Sequence, residues 1–404
     1  VITLNDIQAA NRVLEGKVLH TPLIYSPYFS KQIDGEVYLK LENLQRTGSF
    51  KLRGATYKIH TLLDRIGPRG VVTASAGNHG QGVAHAATQA NVASTIVMPE
   101  WASITKQEAA RAYGGEVLLV GRNLSESIQK ATALVETGMC FIHPFDDPDI
   151  VAGQGTIALE IFDDLKDPDF IFVPVGGGGL IGGIATATKS MRPQTKIIGV
   201  QAASCPSAYR SRERGMRLKL EAQRTIADGI AVKEPGEVTF EIIQKKVDGI
   251  VLVDEDQIGQ AILTLLEKKK ILAEGAGAIP VGALLHPSLE IPKKSKVVLV
   301  ISGGNVDTPL LDRILRQGLM RNGRMVRFAV TLDDVPGSLA RLLTLIARIQ
   351  ANVLHIAHHR SEIGLPIWTS RVELDIETRG WEHVEAVRKA LDEADYGIEW
   401  DSQA

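Results

Sequence analysis

The residues of this chain whose types and spacing could do chemistry begin with one lysine. Lys51 stands in Arg46-Thr47-Gly48-Ser49-Phe50-Lys51-Leu52-Arg53-Gly54-Ala55, between glycines and just before a helix-like run. A lysine amine becomes a nucleophile when burial or a nearby cation lowers its pKa. Arg46 and Arg53 are such cations. Glycines on both sides let the backbone turn tightly and let a ligand come close. A phosphate loop of the Gly-x-x-x-x-Gly-Lys-Ser/Thr type is not matched. An ordinary solvated lysine at a helix start is the plain alternative, and the rest of the chain has to decide against it.

Three further loops carry the decision. Gly176-Gly177-Gly178-Gly179-Leu180 follows the apolar run Phe170 to Val175, with a helix expected from Ile184. Backbone amides at such a strand-to-helix turn face outward, and the helix dipole favours an anion. Gly177, Gly179 and Gly182 satisfy Gly-x-Gly-x-x-Gly, but the carboxylate that would hold a ribose after the next strand is missing, and Gln201 stands there. A monophosphate is therefore preferred to a dinucleotide, with a purely structural turn as the other reading. Ser75-Ala76-Gly77-Asn78-His79-Gly80 is a second donor-rich loop, able to receive a carboxylate on its amides. His79 is more readily a packed or capping residue than an acid–base group. Ser302-Gly303-Gly304-Asn305 closes a third strand. Ligands of open α/β sheets gather at that edge.

The elements that must position these loops alternate. Short apolar strands (Val37–Leu41, Val71–Thr73, Ser94–Met98, Val117–Val120, Phe170–Val175, Lys196–Val200, Val297–Ile301) are separated by helical stretches (Thr105–Tyr113, Asn123–Glu136, Leu263–Lys270), after a first helix at Leu4–Leu14. That rhythm predicts parallel β-α-β units with both sheet faces covered. The texture changes at Arg321-Asn322-Gly323-Arg324. Beyond it, Val326, Phe328 and Val330 alternate with polar or small residues, and a helix follows Asp334-Val335-Pro336-Gly337-Ser338. Strands at Asn352–His358 and Arg371–Ile376, a helix at Trp381–Leu391 and a last strand near Gly397–Trp400 complete a ferredoxin-like βαββαβ order.

Composition narrows the classes of function. The chain has 404 residues, 44% hydrophobic and 23% charged, with net charge −2. It reads as a soluble globular protein of more than one domain, and nothing in it supplies the basic surplus that nucleic acid requires. Two cysteines, Cys140 and Cys205, form no disulfide framework. Apolar runs are strand-sized and no charged-then-apolar leader opens the sequence, so the expectation is a cytoplasmic protein that does not enter a membrane.

Ser49 to Ala55, Ser75 to Gly80, the glycine tetrad and Ser302 to Asn305, in that order, resemble the fold-type II pyridoxal-phosphate enzymes, and among them the threonine dehydratase (threonine ammonia-lyase) group. The resemblance covers about residues 1–320; residues 326–404 resemble an ACT domain, a regulatory module that binds amino acids. It implies a core of two parallel-sheet α/β domains, with a small subdomain at about 45–145 inserted in the large one, a linker at 321–325, and the ferredoxin-like domain at the end. It also implies that Lys51 holds pyridoxal 5'-phosphate covalently, with Phe50 packed beside the ring. Asn78 would bond the ring hydroxyl, Gly176, Gly177, Gly178, Gly179 and Leu180 would cradle the phosphate, and Ser302 would face the pyridine nitrogen. The substrate carboxylate would fall to Ser75, Ala76, Gly77, Asn78 and His79. The implied reaction is elimination of water from L-threonine, giving 2-oxobutanoate and ammonia, with L-serine giving pyruvate. An amino-acid effector would bind at Gly337 and Asn352, with isoleucine the family expectation and a homodimer or homotetramer the expected assembly.

Two departures bear on relatives. Ala76 stands where serine racemases of the family carry a second serine, which disfavours racemisation. Gln201 replaces the carboxylate through which those racemases bind a divalent metal, so no metal is expected. His355 and His359 share a strand face while His358 points away, and this too is a poor metal set. A serine- or hydroxyaspartate-directed lyase or racemase, and a catalytically silent amino-acid sensor, stand as alternatives.

Overall fold

The computed structural model describes residues 2–286, 289–360 and 364–400, and the chain divides into two compact units, Val1–Thr308 and Pro309–Ala404. Ten strands belong to the first unit: β1 (Leu23–Tyr25), β2 (Glu36–Leu41), β3 (Val71–Ala74), β4 (Ser94–Met98), β5 (Glu116–Leu119), β6 (Cys140–Phe141), β7 (Phe170–Pro174), β8 (Lys196–Ala202), β9 (Gly249–Val253) and β10 (Lys296–Ile301). They form two sheets. The larger has the order β1-β2-β10-β7-β8-β9 and the smaller β5-β4-β3-β6. Every pairing is parallel except that of β1 with β2. Central strands such as β7 and β10 are buried almost throughout, because helices cover both faces of a parallel sheet.

The strand order decides what meets what. β10 lies between β2 and β7, with Ile301 beside Leu41 and Leu299 beside Phe172. The chain therefore leaves the carboxyl ends of three adjacent strands into the Lys51 segment, the Ser302 loop and the glycine loop. The Ser75 loop leaves β3 of the smaller sheet. The alternating rhythm predicts the parallel β-α-β units seen here, and the resemblance implies their division into two sheets, the smaller lying within residues 45–145.

Two element boundaries differ from the sequence reading. The helix after the glycines begins at Gly179, not Ile184. Gly178, at φ 99°, makes the turn, and Gly183 sits in the helix because a Cβ there would overlap the Val151 carbonyl and Gly155 of the neighbouring helix Pro148–Asp164. The stretch at Leu263–Lys270 is the tail of a helix that starts at Glu255 behind an Asp254–Gln257 capping box and ends in one wider turn, Leu265–Lys269. The division between the units falls between Thr308 and Pro309, at the first residues of the helix Thr308–Arg321.

The second unit contains that helix and then β11 (Met325–Asp333), a helix Ser338–Arg348, β12 (Asn352–His359), β13 (Thr369–Glu377), a helix Trp381–Glu393 and β14 (Ile398–Trp400). Its sheet is antiparallel, in the order β12-β13-β11-β14. Val326, Phe328, Val330 and Leu332 of β11 enter one core with Leu342, Ile346, Val384, Val387 and Leu391 of the two helices. The period of two read from the sequence is the period of burial here.

Candidate active site

The helix that carries the lysine is Lys51–Leu62, and a buried ionic knot fixes its first turn. Arg53, fully buried, gives Nε and Nη2 to the two oxygens of Glu42 at 2.8 and 2.7 Å. It gives Nη1 and Nη2 to the two oxygens of Glu160 at 2.6 and 2.9 Å. Lys40, also fully buried, donates to Glu160 at 2.6 Å and to the Thr21 carbonyl at 2.7 Å. Two cations thus meet two carboxylates; the last guanidinium hydrogen, on Nη1, goes to Thr156, and the Leu19 carbonyl shares an Nη2 hydrogen. A buried charge is tolerable only when paired and hydrogen-bonded in this way. The expectation that Arg53 lowers the pKa of Lys51 therefore does not hold: its charge is neutralised by Glu42 and Glu160, and the cause is burial.

Lys51 Nζ donates to the Pro144 carbonyl at 2.7 Å and lies 5.2 Å from the centre of the Phe50 ring. Desolvation pulls its pKa down to about 8, against an upward pull from Glu274. Phe50 N donates to the Ser302 carbonyl at 3.1 Å, Gly304 N to the Gly48 carbonyl at 2.9 Å, and Ser49 pairs with Gly303. These bonds stitch the lysine segment to the Ser302 loop. The Ser302 hydroxyl is buried and donates to the Ala276 carbonyl at 3.3 Å.

The Ser75 loop meets the same place from the smaller sheet. Asn78 opens the helix Asn78–Gln89. Its Nδ2 donates to Glu274 Oε1 at 2.6 Å and its Oδ1 accepts from Asn305 Nδ2 at 2.7 Å. Both ends of the amide are thereby oriented, and one Nδ2 hydrogen is left for a ligand. Glu274 is buried, and desolvation raises its pKa to about 7, with Asp228 adding to the rise and Asn78, Lys106 and Lys51 opposing it. The His79 ring is committed to the scaffold. It is buried, held neutral with a pKa near 3 by desolvation and by Lys51, and its Nε2 donates to the Ile142 carbonyl at 3.0 Å. With the ring so committed, what residue 79 offers a ligand is its backbone amide at the helix start, with those of Asn78 and Gly80. The Ser75 hydroxyl accepts from Gly77 N at 3.3 Å and shapes the turn.

The glycine loop is built to bring backbone close. A Cβ on Gly177 would overlap the Phe145 ring, and one on Gly179 would stand 3.1 Å from Phe145 Cα. Thr239 Oγ1 and Gly236 N both donate to the Gly177 carbonyl, at 2.6 and 3.2 Å, which holds the loop's carbonyl away from its amides' side. No side chain caps the helix Gly179–Met191, so its first amides stay open to an anion. The loop is thus a cradle with no acid in it. The Ser49 hydroxyl, buried without a partner one residue from Phe50, is another polar group awaiting one. The residues present fit a phosphorylated, aldehyde-bearing ring: an amine for the aldehyde, amides for the phosphate, an amide hydrogen on Asn78 and a hydroxyl on Ser302. Two surface clefts of about 570 and 470 Å³ include no residue of these loops.

Glu274 is the member of the site to which the sequence alone assigns no role. Its partner Asn78 is 196 residues away in the chain. The available signal was a lone acid at the start of an apolar helix, here Gly275–Leu284, whose Gly277 packs against the Gly303 backbone. In the second unit, Gly337 is the left-handed turn before helix Ser338–Arg348, at φ 91°, and Asn352 lies beyond that helix's other end, bonded to Glu377.

Comparison with known proteins agrees with this geometry. Residues 14–303 match the family described as pyridoxal-phosphate dependent enzyme. An L-threonine ammonia-lyase of Thermotoga maritima is 48% identical over 97% of this chain and 97% of its own length. A structure of the processed form of threonine deaminase isoform 2 from Solanum lycopersicum has 40% identity and a TM-score of 0.74, covering 78% of this chain and 87% of that one. A serine racemase from Dictyostelium discoideum has 37% identity and a TM-score of 0.71, covering 76% of this chain and 99% of that one.

Proposed function

Since the chain belongs to the pyridoxal-phosphate dependent enzymes, we propose that it is an L-threonine ammonia-lyase, releasing 2-oxobutanoate and ammonia, with L-serine as a second substrate. The observation that carries this reading is a desolvated amine, Lys51, on the same edge as an acid-free glycine cradle and the Asn78–Glu274 pair. Pyridoxal phosphate, when bound, supplies an aldehyde for the substrate amine and a ring that withdraws electrons from its α-carbon. Lys51 is the group that binds that aldehyde, and the amides of Gly176 to Leu180 take the phosphate.

A pKa near 8 leaves roughly a tenth of the Lys51 amine neutral at pH 7, ready to accept the α-proton. The β-hydroxyl then leaves with a proton as water, and the enamine left behind hydrolyses to keto acid and ammonia. The amides at the start of helix Asn78–Gln89, with Gly77 before them, orient the substrate carboxylate. Glu274 fixes the orientation of Asn78, whose remaining Nδ2 hydrogen would bond the ring hydroxyl of the cofactor. Ser302, which here donates to the Ala276 carbonyl, would face the pyridine nitrogen; a hydroxyl, unlike a carboxylate, would leave that nitrogen largely unprotonated, which suits prompt elimination. Ala76 brings no hydroxyl for an opposite-face acid, so the racemase reading is the weaker one.

The second unit is the regulatory part of this reading. Gly337 and Asn352 stand at the two ends of an 11-residue helix, about 16 Å apart by helical rise. An amino acid small enough to touch both does so between two copies of the unit, which favours a dimer or tetramer. No helix among the described residues is long and apolar enough to cross a membrane, in keeping with a cytoplasmic enzyme. The test is keto-acid release by the purified chain supplied with pyridoxal phosphate. Release from threonine at a kcat/KM above that from serine supports the proposal; racemisation of serine without keto acid overturns it.

A further inference from the structure

Helix Ile104–Ala112 follows β4 of the smaller sheet. Its N-cap, Ser103, donates its hydroxyl to Asp307 Oδ1 at 3.0 Å. Lys106, in the first turn, places Nζ 2.9 Å from Asp228 Oδ2 and 3.4 Å from Asp307 Oδ2. Neither carboxylate belongs to the smaller-sheet subdomain. Asp228 opens the short turn Asp228–Ile230, and that turn touches two parts of the proposed site. A Cβ on Gly176 would stand 3.1 Å from Ile230, and one on Gly229 3.6 Å from Glu274 Oε1. Asp307 follows the Ser302–Asn305 loop, whose Asn305 holds Asn78. One amine therefore joins the smaller sheet to two segments that flank Glu274.

We propose that Lys106 is a positioning residue for the elimination, a strap that ties the small subdomain to Asp228 and Asp307 and so keeps Asn78 seated against Glu274. The inference rests on the functional reading above. A surface ion pair by itself contributes little to stability, and Asp228 is largely exposed. The placement is what gives this one an effect. The charged groups that reach Glu274 are Lys51 and Lys106, which lower its proton affinity, and Asp228, which raises it. Cutting the strap at Lys106 removes a cation from the surroundings of Glu274, whereas cutting it at Asp228 removes an anion. Lys106→Met cuts the strap to both carboxylates and Asp228→Asn only the shorter of its two ion pairs, and the electrostatic consequence at Glu274 has opposite sign in the two.

The test uses the full-length enzyme loaded with pyridoxal phosphate, with Lys106→Met, Asp228→Asn, Lys106→Arg and a Glu274→Gln reference. The visible absorbance of the bound cofactor is titrated with pH, and KM and kcat for L-threonine are measured. The wild type should show an inflection that Glu274→Gln removes. That inflection should move up in pH in Lys106→Met and down in Asp228→Asn. Both variants should raise KM for threonine several-fold, and Lys106→Arg should restore it. An inflection that stays in place, or moves the same way in both, overturns the proposal, as does a wild-type titration identical to that of Glu274→Gln. A chain that develops no cofactor band at all overturns the functional reading itself, and the strap with it.

Discussion

Lys51 and Glu274 shift each other's protons. Burial pulls the lysine down to about 8 and pushes the carboxyl up to about 7, while each charge opposes the other's desolvation. The pair thus titrates across the neutral range, where one group can give a proton and the other take it. Replacing Lys51 by Ala removes both the anchor and the base, and keto-acid release from threonine should fall by at least about 10³-fold. Glu274 has a consequence for the chain without cofactor. Its folded pKa lies above the ordinary value of 4.5, so the stability it contributes is full below pH 4.5 and lost as pH rises through about 7. Glu274→Gln should therefore melt higher than wild type at pH 8, by up to about 3 kcal/mol, with the gain shrinking toward pH 5. A gain that is larger at pH 5 than at pH 8 would contradict the sign.

At the scale of elements, the glycine loop works because its backbone lies against Phe145 and turns left-handed at Gly178. Gly177→Ala should force the Phe145 ring away, at a cost of about 1–3 kcal/mol, and weaken phosphate binding. Spectrophotometric titration with pyridoxal phosphate should show a weaker dissociation constant, and unchanged binding would count against the cradle. Sheet and loop order were legible because strands of Val, Ile and Leu bounded by Gly announce buried parallel strands. The Ser75, glycine and Ser302 loops could be placed at strand ends from that pattern alone, and Lys51 at a helix start. Helix starts read less well. Gly179, Gly182 and Gly183 look like loop by propensity, yet they lie in a helix, where the missing Cβ of Gly183 lets Val151 and Gly155 pack close and that of Gly179 makes room for Phe145. Glu274 and the knot of Arg53, Glu42, Glu160 and Lys40 were hidden for a different reason. Their partners are far apart in sequence, and a charged residue at one position does not say what neutralises it.

The whole molecule pairs a catalytic unit with a βαββαβ unit that has its own core. In the proposed function the second unit reports an amino acid, bound where Gly337 of one copy faces Asn352 of another. Asn352→Ala should blunt the change that a branched-chain amino acid makes in the initial rate against threonine, moving the half-maximal effector concentration upward by about tenfold for a lost amide contact. An effector response identical to wild type would remove Asn352 from that site.

The account stands on one amine more than on any other group. Reduction of the enzyme with borohydride in the presence of pyridoxal phosphate, followed by mass mapping of its peptides, reads that amine directly. The expected result is a phosphopyridoxyl label on Lys51 and on no residue of Lys51→Ala. A label on another lysine, or none on the wild-type chain, would contradict it.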